Sequence, residues 1–483
     1  MIIDESGVLP IVVFENGGEW PEVLKVAAPH LDKRGLAKLE KAFCGAVKTV
    51  LVERHYIDKD YRDTFSNYHS KRFQTPNSRC NRLHFFNEVL DKAALADVER
   101  MQRSYLGYSV IRPTRPNCVG RTLICPVDSR VGEAHIRTCT EEIHLLGVSL
   151  KVHGFPFISQ DADVTVCAQS ALWTVLRYFS NQYSRYGEIH PFQIGQLTKD
   201  YSIGRMYPSD GLTMWQMAEA LRQHSFEPLI YSRDQHKDQF EHLLYTYIES
   251  GIPCLVGVPQ HVISAFGHFS NIDSLLIADD KRLHYSSEFN QGFVISDDNT
   301  FPYQPLRQGG ALSANDSRFE FSQIDSFIAP LPDKVYLSPE GFRKAAELSL
   351  AKFISESPTL QNETLMLRIF LTTGTSFKGR ILERGMGHSS VAEVYRYLPM
   401  PHFIWVCELS TPGLFEQRKV LGEIIWDATR NGYETSGLVA CHLPEKLIFD
   451  LGSSLNGPEK LIKSNLQNFT SYALYVSNLR QIN

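Results

Sequence analysis

The chain has 483 residues, of which 43% are hydrophobic and 21% are charged. This composition is typical of a globular protein, and the length allows roughly two to four domains. The formal net charge is −5 and the basic residues are scattered, so we expect no nucleic-acid partner and no anionic membrane surface as a partner. Residues 1–7 are acidic and no long uncharged apolar stretch follows, which argues against a signal peptide and a membrane span and predicts a cytoplasmic protein.

The nine cysteines are odd in number and irregularly spaced, which argues against a disulfide framework. No Cys-x-x-Cys pair occurs, so the usual signature of a structural zinc site is missing. Cys80 and His84 would share one face of a helix, but two ligands do not make a metal site. We therefore predict neither a metal ion nor an organic cofactor.

Residues 1–145 are predicted to form an N-terminal α+β region in which no motif indicates a particular chemistry. Apolar residues at helical spacing predict its first helix. The predicted elements are a strand at 11–14, helices at 36–52 and 88–102, and strands at 105–111 and 121–127.

Residues 146–306 are predicted to form a second domain, which contains the candidate site. Cys167 stands where an irregular segment turns into an amphipathic helix, and Asp163 or Thr165 would cap the start of that helix. The apolar stripe of the helix consists of Ala168, Leu172, Val175, Leu176 and Phe179. A thiol at a helix N-terminus lies at the positive end of the macrodipole, which favours the nucleophilic thiolate. Cys167 is therefore a candidate nucleophile, although a buried structural cysteine would fit the same pattern.

A nucleophilic cysteine needs a base, and one apolar segment offers two histidines. Cys254–Val258 has the composition of a short strand, and a tight turn at 259–260 follows it. His261 then begins a second strand, where a side chain is held rigidly, so His261 is the preferred base. His268, which follows the same strand, is the alternative.

An acidic group that orients the imidazole would complete this set. The strand Phe293–Ile295 is followed closely by Asp297 and Asp298. Asp297 is preferred because it lies nearer to the strand, and Asp298 is the alternative, although an ordinary turn would have the same composition. Helices are predicted at 213–224 and 235–250, so helices precede the strands that carry the base and the acid, as in an α+β layout.

A polar loop at 307–317 separates a C-terminal α+β region, residues 318–483. The predicted elements are a helix at 339–356 and strands at 365–371, 402–409 and 421–429. Glu408, Glu423 and Asp427 would offer an acidic site, but such residues more often lie on the solvated face of strands, which is what we expect here.

The middle third of the chain, taken with these residues, resembles the papain-like superfamily and, within it, the bacterial C39-like cysteine peptidases. The matching positions are Gln160 upstream of Cys167, Gly251-Ile-Pro253, Gly257-Val258, His261 through Gly267-His268, and Asp297. The resemblance covers roughly residues 150–305. It implies an α+β fold with a papain-like core, in which the cysteine lies at a helix N-terminus and the histidine and aspartate lie on an antiparallel sheet.

The resemblance also implies an activity. Cys167 would be the nucleophile and His261 the general base, Asp297 would orient the imidazole, and Gln160 would donate a hydrogen bond to the oxyanion. The expected enzyme is a cysteine peptidase, a hydrolase that acts on a protein or peptide through a thioester. A transglutaminase-like acyltransferase uses the same machinery, and a papain-like binding or regulatory module without catalysis is the third interpretation.

Overall fold

The structure is a computed structural model of the chain. It describes residues 2–3, 10–13, 39, 41–43, 45–91, 93–114, 119–126, 131–161, 163–202, 205–270, 281–309, 317–355, 357–386, 389–431, 437–450, 462–465 and 471–482. These residues form a mixed α+β fold built on open sheets, which confirms the predicted class.

Two helices of 16 residues stand out, the central helix Cys167–Gln182 and the helix Pro339–Ile354. The other described α-helices are Lys59–Asn67, Val98–Ser104, Pro191–Leu197, Met214–Gln223, Arg233–His236, Gln239–Glu249, Gly374–Gly379, Ser390–Tyr397 and Pro412–Glu416. The helices predicted at 213–224 and 339–356 are thus confirmed, whereas the one predicted at 235–250 is divided near Lys237, whose φ is 44°. No helix in the described ranges is both long and apolar enough to cross a membrane.

The first sheet is an antiparallel meander of strands from the N-terminal region. Its strands, in order, are Ile2–Ile3, Pro10–Val13, Thr49–Tyr56, Cys80–Phe86, Tyr105–Ile111 and Val119–Ile124. The strands predicted near 11–14, 105–111 and 121–127 are confirmed.

The two helices predicted in this region are partly wrong. Residues 41–43 are helical, but the chain then enters the strand Thr49–Tyr56. The first four residues of that strand are apolar or β-branched and fully buried, and periodicity alone does not separate such a run from a buried helix. The second helix begins only at Val98, because the Asp97 carboxylate caps it by accepting a hydrogen bond from the Arg100 N–H at 3.0 Å.

The second sheet carries the candidate site, and its strand pairs are antiparallel. Six strands lie in the order Phe226–Ser232, Ser326–Pro332, Cys254–Val258, His261–Ser270, Asn290–Ser296 and Gln304–Arg307. Ala134–Ile136 pairs with the far end of the His261–Ser270 strand, and Arg480–Gln481 pairs with Ala134–Ile136. The central helix packs against the His261–Ser270 strand, which brings the start of the helix towards the sheet.

The third sheet belongs mainly to the C-terminal region. Its strands, in order, are Leu283–Tyr285, Leu365–Thr373, Phe403–Ser410, Gly422–Asp427, Leu438–Leu443, Lys446–Phe449 and Ile462–Asn465. Two further pairs lie outside the large sheets: Cys139–Leu145 with Val148–Gly154, and Lys419–Val420 with Tyr472–Ala473. The strands predicted in this region are confirmed.

The sheets do not divide at the boundaries that the sequence predicts for the domains. Ala134–Ile136 comes from the N-terminal region and Ser326–Pro332 from the C-terminal region, yet both are strands of the second sheet. Leu283–Tyr285 comes from the middle region and pairs in parallel with Leu365–Thr373 of the third sheet. The three regions therefore share their sheets.

The acidic residues of the third sheet are not solvated, so the expectation for Glu408 and Glu423 is wrong. Glu408 is 1% exposed and Glu423 is 0% exposed. Arg368 Nη1 lies 2.6 Å from Glu408, and Arg384 Nη2 lies 2.8 Å from Glu423. The chain near Tyr475 covers this face, and the Tyr475 backbone N–H donates to Glu408 at 2.7 Å. Buried carboxylates need such partners, and these pairs are structural contacts.

A buried ion network joins the N-terminal region to the central helix. Asp60 is 1% exposed, and its two carboxylate oxygens lie 2.9 Å from Arg121 Nε and 3.2 Å from Arg177 Nη2. Arg177 belongs to the central helix, and Arg121 also contacts Glu188 at 3.0 Å. Because each buried charge here has an opposite charge beside it, separating the two regions would leave charges unpaired.

Candidate functional site

The loop that leads into the central helix is organised by Asp161. This residue is 3% exposed, and its Oδ1 accepts hydrogen bonds from the backbone N–H groups of residues 163, 164 and 165 at 3.0, 2.8 and 2.8 Å. The Asp161 N–H donates to the Thr165 carbonyl at 2.8 Å. The loop between Gln160 and Cys167 is therefore compact, which fixes the position of both side chains. The sequence analysis missed Asp161, although an aspartate that can bond to N–H groups two to four residues ahead is a known turn signal.

The central helix begins at Cys167, and the predicted caps of this helix are wrong. Val166 is the N-cap, and no side chain caps the helix. The Asp163 carboxylate instead binds Arg72 at 2.8 Å, and the Thr165 hydroxyl is buried without a hydrogen-bond partner. The first N–H groups of the helix therefore surround Cys167 without a competing side-chain acceptor, which favours an anion at this end. Cys167 is partly exposed.

His261 begins its strand directly after the turn at 259–260, opposite Val258. Its side chain is 8% exposed, and its Nε2 lies 2.9 Å from Asp297 Oδ1 and 3.2 Å from Asp298 Oδ1. The Cys167 side chain is also close enough to the His261 ring to contribute to its raised pKa. Because Nε2 faces the carboxylates, the other ring nitrogen, Nδ1, is the one available to interact with the Cys167 thiol.

The environment of His261 strongly favours the imidazolium. Burial alone would lower the pKa of the ring, since it disfavours charge. The hydrogen bonds with the two carboxylates and with Cys167 outweigh burial and raise the pKa of His261 to about 11. The ring is therefore positively charged at neutral pH and can stabilise a neighbouring thiolate.

The two carboxyl groups beside His261 differ in charge. Burial disfavours ionisation of both, but in Asp297 the hydrogen bond and positive charge of His261, together with Arg318, outweigh burial and lower the pKa. In Asp298 burial outweighs the contacts with His261, and the charge of Asp297 adds to the effect of burial, so the pKa is raised. Asp297 is thus the anionic partner of the imidazolium, and Asp298 is held closer to its neutral form.

Asn299 connects the groups of the site, and the sequence analysis missed it. Its Oδ1 accepts a hydrogen bond from Gln160 Nε2 at 2.6 Å, and its Nδ2 lies 3.4 Å from His261 Nε2. Its backbone N–H donates to Asp297 Oδ1 at 3.0 Å. Gln160 therefore lies in the same network as the imidazole. In the sequence Asn299 is the third residue of an Asp-Asp-Asn run that is typical of turns, so only its adjacency to the two acids could have indicated a role.

Two further residues reach the site from a distant part of the chain. The Phe319 ring stacks on the His261 ring with centroids 5.6 Å apart and an interplanar angle of 22°. Arg318 Nε lies 3.3 Å from Asp297 Oδ2. No sequence pattern indicates this contact, because these residues lie just beyond the predicted polar loop.

His268 lies in another environment. It is 2% exposed, its Nε2 lies 2.5 Å from Glu249 Oε2, and its ring stacks on His135 with centroids 5.2 Å apart. Seven residues separate it from His261 along a strand, which corresponds to about 20 Å. The structure therefore groups Cys167 with His261 and not with His268.

One group in the described residues has the spacing of metal ligands. Single ligand atoms of His261, Asp297 and Asp298 all lie within 4.8 Å of one another. A cation would have to displace the proton that His261 holds, because only a neutral imidazole is a ligand. Cys80 and His84 do not share a helix face, since Cys80–Phe86 is a strand that places them about 13 Å apart.

No protein-family model matches this chain, and no curated protein matches it.

Proposed function

We propose that this chain is a cysteine peptidase with a papain-like core, which cleaves a peptide or isopeptide bond through a thioester formed on Cys167. The observation that carries the proposal is the position of His261, which binds Asp297 at 2.9 Å and whose pKa is raised in part by the neighbouring Cys167 side chain. A nucleophile, a base within hydrogen-bond reach and a group that orients the base are the parts that covalent acyl transfer requires.

In the first step the Cys167 thiolate attacks the substrate carbonyl carbon, and the C=O electron pair moves onto oxygen. The backbone N–H of Cys167 and the side-chain amide of Gln160 stabilise the resulting oxyanion. One N–H of the Gln160 amide already bonds to Asn299. An amide nitrogen has two hydrogens, so one of them stays available for the oxyanion.

In the second step the C–N bond breaks, and His261 gives its proton to the leaving amine. Loss of the thiolate charge on acylation removes one of the interactions that raise the pKa of His261, so the imidazolium becomes a stronger acid when a proton is needed. His261 then takes a proton from water, the resulting hydroxide attacks the thioester, and the C–S bond breaks. The products are a carboxylic acid, which releases its proton to solvent and becomes a carboxylate, and the regenerated thiolate–imidazolium pair.

A papain-like binding or regulatory module without catalysis is the second candidate. The observation that favours it is the short bond between Gln160 and Asn299, which holds the proposed oxyanion donor in the resting site at 2.6 Å. A transglutaminase-like acyltransferase differs from a peptidase only in the acceptor, because an amine in place of water would resolve the same thioester.

Selective labelling of Cys167 tests the proposed nucleophile. Burial raises the pKa of the six other described cysteines, Cys80, Cys125, Cys139, Cys254, Cys407 and Cys441, so these remain thiols at neutral pH. We expect brief iodoacetamide treatment at pH ~6 to label Cys167 faster than any other cysteine. Peptide mapping measures this, and Cys125→Ala is the matched control because Cys125 is also partly exposed.

A peptide-based electrophilic probe separates enzyme from scaffold. We expect the probe to form a covalent adduct with the wild-type chain and with Cys125→Ala, and no adduct with Cys167→Ala or His261→Ala. Labelling by iodoacetamide without labelling by the peptide probe would favour the binding module. Incorporation of an added amine donor into a peptide product would identify an acyltransferase.

A further inference from the structure

A polar cleft lies on the side of the second sheet where the Arg480–Gln481 strand is added. Its volume is about 320 Å³, and its walls come from Ile136–Thr138, from the end of the helix Gly374–Gly379 and from the chain at 476–480. Three arginines, Arg137, Arg380 and Arg480, line it. The cleft therefore brings together residues that lie far apart in the sequence.

The charge of Arg137 is not balanced by its contacts. Its guanidinium donates to the Tyr178 and Tyr183 hydroxyls and to the carbonyls of Ser477 and Asn478, the last at 2.7 Å. Each of these four acceptors is neutral. A partly buried cation normally has an anionic partner. None of the contacts that Arg137 makes with described residues supplies one.

The other two arginines add to this excess of positive charge. Arg380 binds Glu383, which also lines the cleft, whereas no carboxylate of the described residues lies within ion-pairing distance of Arg480. Three guanidinium groups and one carboxylate leave two positive charges uncompensated. The cleft is therefore locally positive, although the net charge of the chain is −5.

We propose that this cleft binds a small polyanion that carries at least two phosphate or carboxylate groups. The guanidinium fork of Arg480 matches these groups, because two parallel N–H groups bind two oxygens of one phosphate or carboxylate. Four contacts already engage most of the five N–H groups of Arg137, so Arg137 contributes mainly its charge. The volume is at the lower end of the range for small-molecule sites, which suits a compact ligand. The Ser477 and Thr138 side chains, which also line the cleft, would supply neutral hydrogen bonds.

The contacts of Arg137 indicate which parts of the fold a bound anion would stabilise. Its backbone N–H donates to the Phe266 carbonyl in the His261–Ser270 strand at 2.8 Å, and its side chain contacts Tyr178 of the central helix. An anion on Arg137 would therefore stabilise the junction between the C-terminal segment, the second sheet and the central helix. This proposal concerns binding, and it stands whether or not Cys167 is catalytic.

Titration of the full-length chain with inorganic pyrophosphate and, separately, with citrate tests the site. We expect saturable binding by calorimetry and a rise in Tm with ligand concentration for at least one of the two probes. Arg480→Gln and Arg380→Gln should each weaken binding ~10-fold or more, since each removes a charge-assisted contact. The matched control is Arg222→Gln, because Arg222 pairs with Glu219 three residues away on the surface, as Arg380 pairs with Glu383.

Binding of pyrophosphate alone would identify a phosphate site, and binding of citrate alone a carboxylate site. Absence of binding by both probes at millimolar concentration and low salt would overturn the proposal. Equal affinity in the wild type and in both cleft variants would also overturn it, because the anion would then lie elsewhere. The apparent affinity should fall as sodium chloride is raised, since these contacts are largely electrostatic.

Discussion

Replacing Asp297 by asparagine should lower the pKa of the His261 imidazole. The Asp297 carboxylate accepts a hydrogen bond from His261 Nε2 at 2.9 Å and is the ionised member of the acid pair. A hydrogen bond to a charged group is worth about 1.5–3 kcal/mol. One pKa unit corresponds to about 1.4 kcal/mol. The pKa of His261, about 11 in the wild type, should therefore fall by about one to two units in Asp297→Asn.

The His261 ring should therefore lose its proton about one to two pH units lower in Asp297→Asn than in the wild type. The assay is NMR titration of the His261 ring between pH ~7 and ~12. Asp298→Asn is the matched control. Asp298 carries less negative charge because burial raises its pKa, so the pKa of His261 should fall by less than about half a unit in this variant.

A larger shift in Asp298→Asn than in Asp297→Asn would refute this assignment of charge within the acid pair. An unchanged pKa of His261 in both variants would refute the hydrogen-bonded pair of His261 and Asp297.

Five further variants test the site and the core. His261→Ala should abolish labelling of the thiol by a peptide probe, whereas His268→Ala should retain it and only lower the Tm, since it removes one of the two partners of the buried Glu249, the other being Arg368. Gln160→Ala should lower kcat on a cleaved peptide by roughly 10²–10³-fold, and Asn299→Ala should lower kcat less, as it acts through its neighbours. Burial lowers the pKa of His84 to about 4. The unfolded chain then binds more protons at this residue below pH ~6.5, so His84 alone should lower the free energy of unfolding by up to about 1.4 kcal/mol per pH unit towards pH 4. The total slope, measured by urea denaturation, should be smaller in His84→Gln.

Local patterns predicted some strands of the second and third sheets and missed others, such as Phe226–Ser232, Ser326–Pro332 and Leu438–Leu443. The strand Cys254–Val258 follows from a short apolar run, and the helix Met214–Gln223 lies within the range predicted as helical. The strand Thr49–Tyr56 was missed, because a fully buried run has no alternation of polar and apolar residues. The expectation that Glu408 is exposed was wrong because its partner Arg368 lies 40 residues away in the sequence, and no local sequence pattern indicates such a contact.

The residues of the candidate site also fall into two groups, those that local sequence patterns indicate and those that they do not. Cys167, His261 and Asp297 each stand at the end of a recognisable helix or strand, so their order and spacing along the chain already suggested one cluster. Asp161 and Asn299 act through hydrogen bonds inside loops, where the side-chain direction depends on the folded backbone. Phe319 contacts the imidazole only because folding brings residues that are distant in the sequence next to His261. Residues of this kind require tertiary structure to be found.

The sharing of sheets between regions leads to a last prediction, which concerns the isolated segment 146–306. In the second sheet Ser326–Pro332 lies between Phe226–Ser232 and Cys254–Val258 and pairs with both. The segment 146–306 lacks that strand, and it also lacks Ala134–Ile136, so two interior rows of backbone N–H and C=O groups would lose their partners. Unpaired buried backbone groups are costly and open edges promote aggregation.

We therefore expect the segment 146–306, produced alone, to aggregate or to show no cooperative thermal transition by circular dichroism. A longer segment, 131–482, restores both strands and the Arg480–Gln481 pairing, and should recover a cooperative transition at a lower Tm than the full chain. The lower Tm is expected because Asp60 and Arg121 are then absent and Arg177 of the central helix loses its buried partner. A cooperative transition in the short segment would mean that the sheet can close without Ser326–Pro332, and the argument from shared strands would fail.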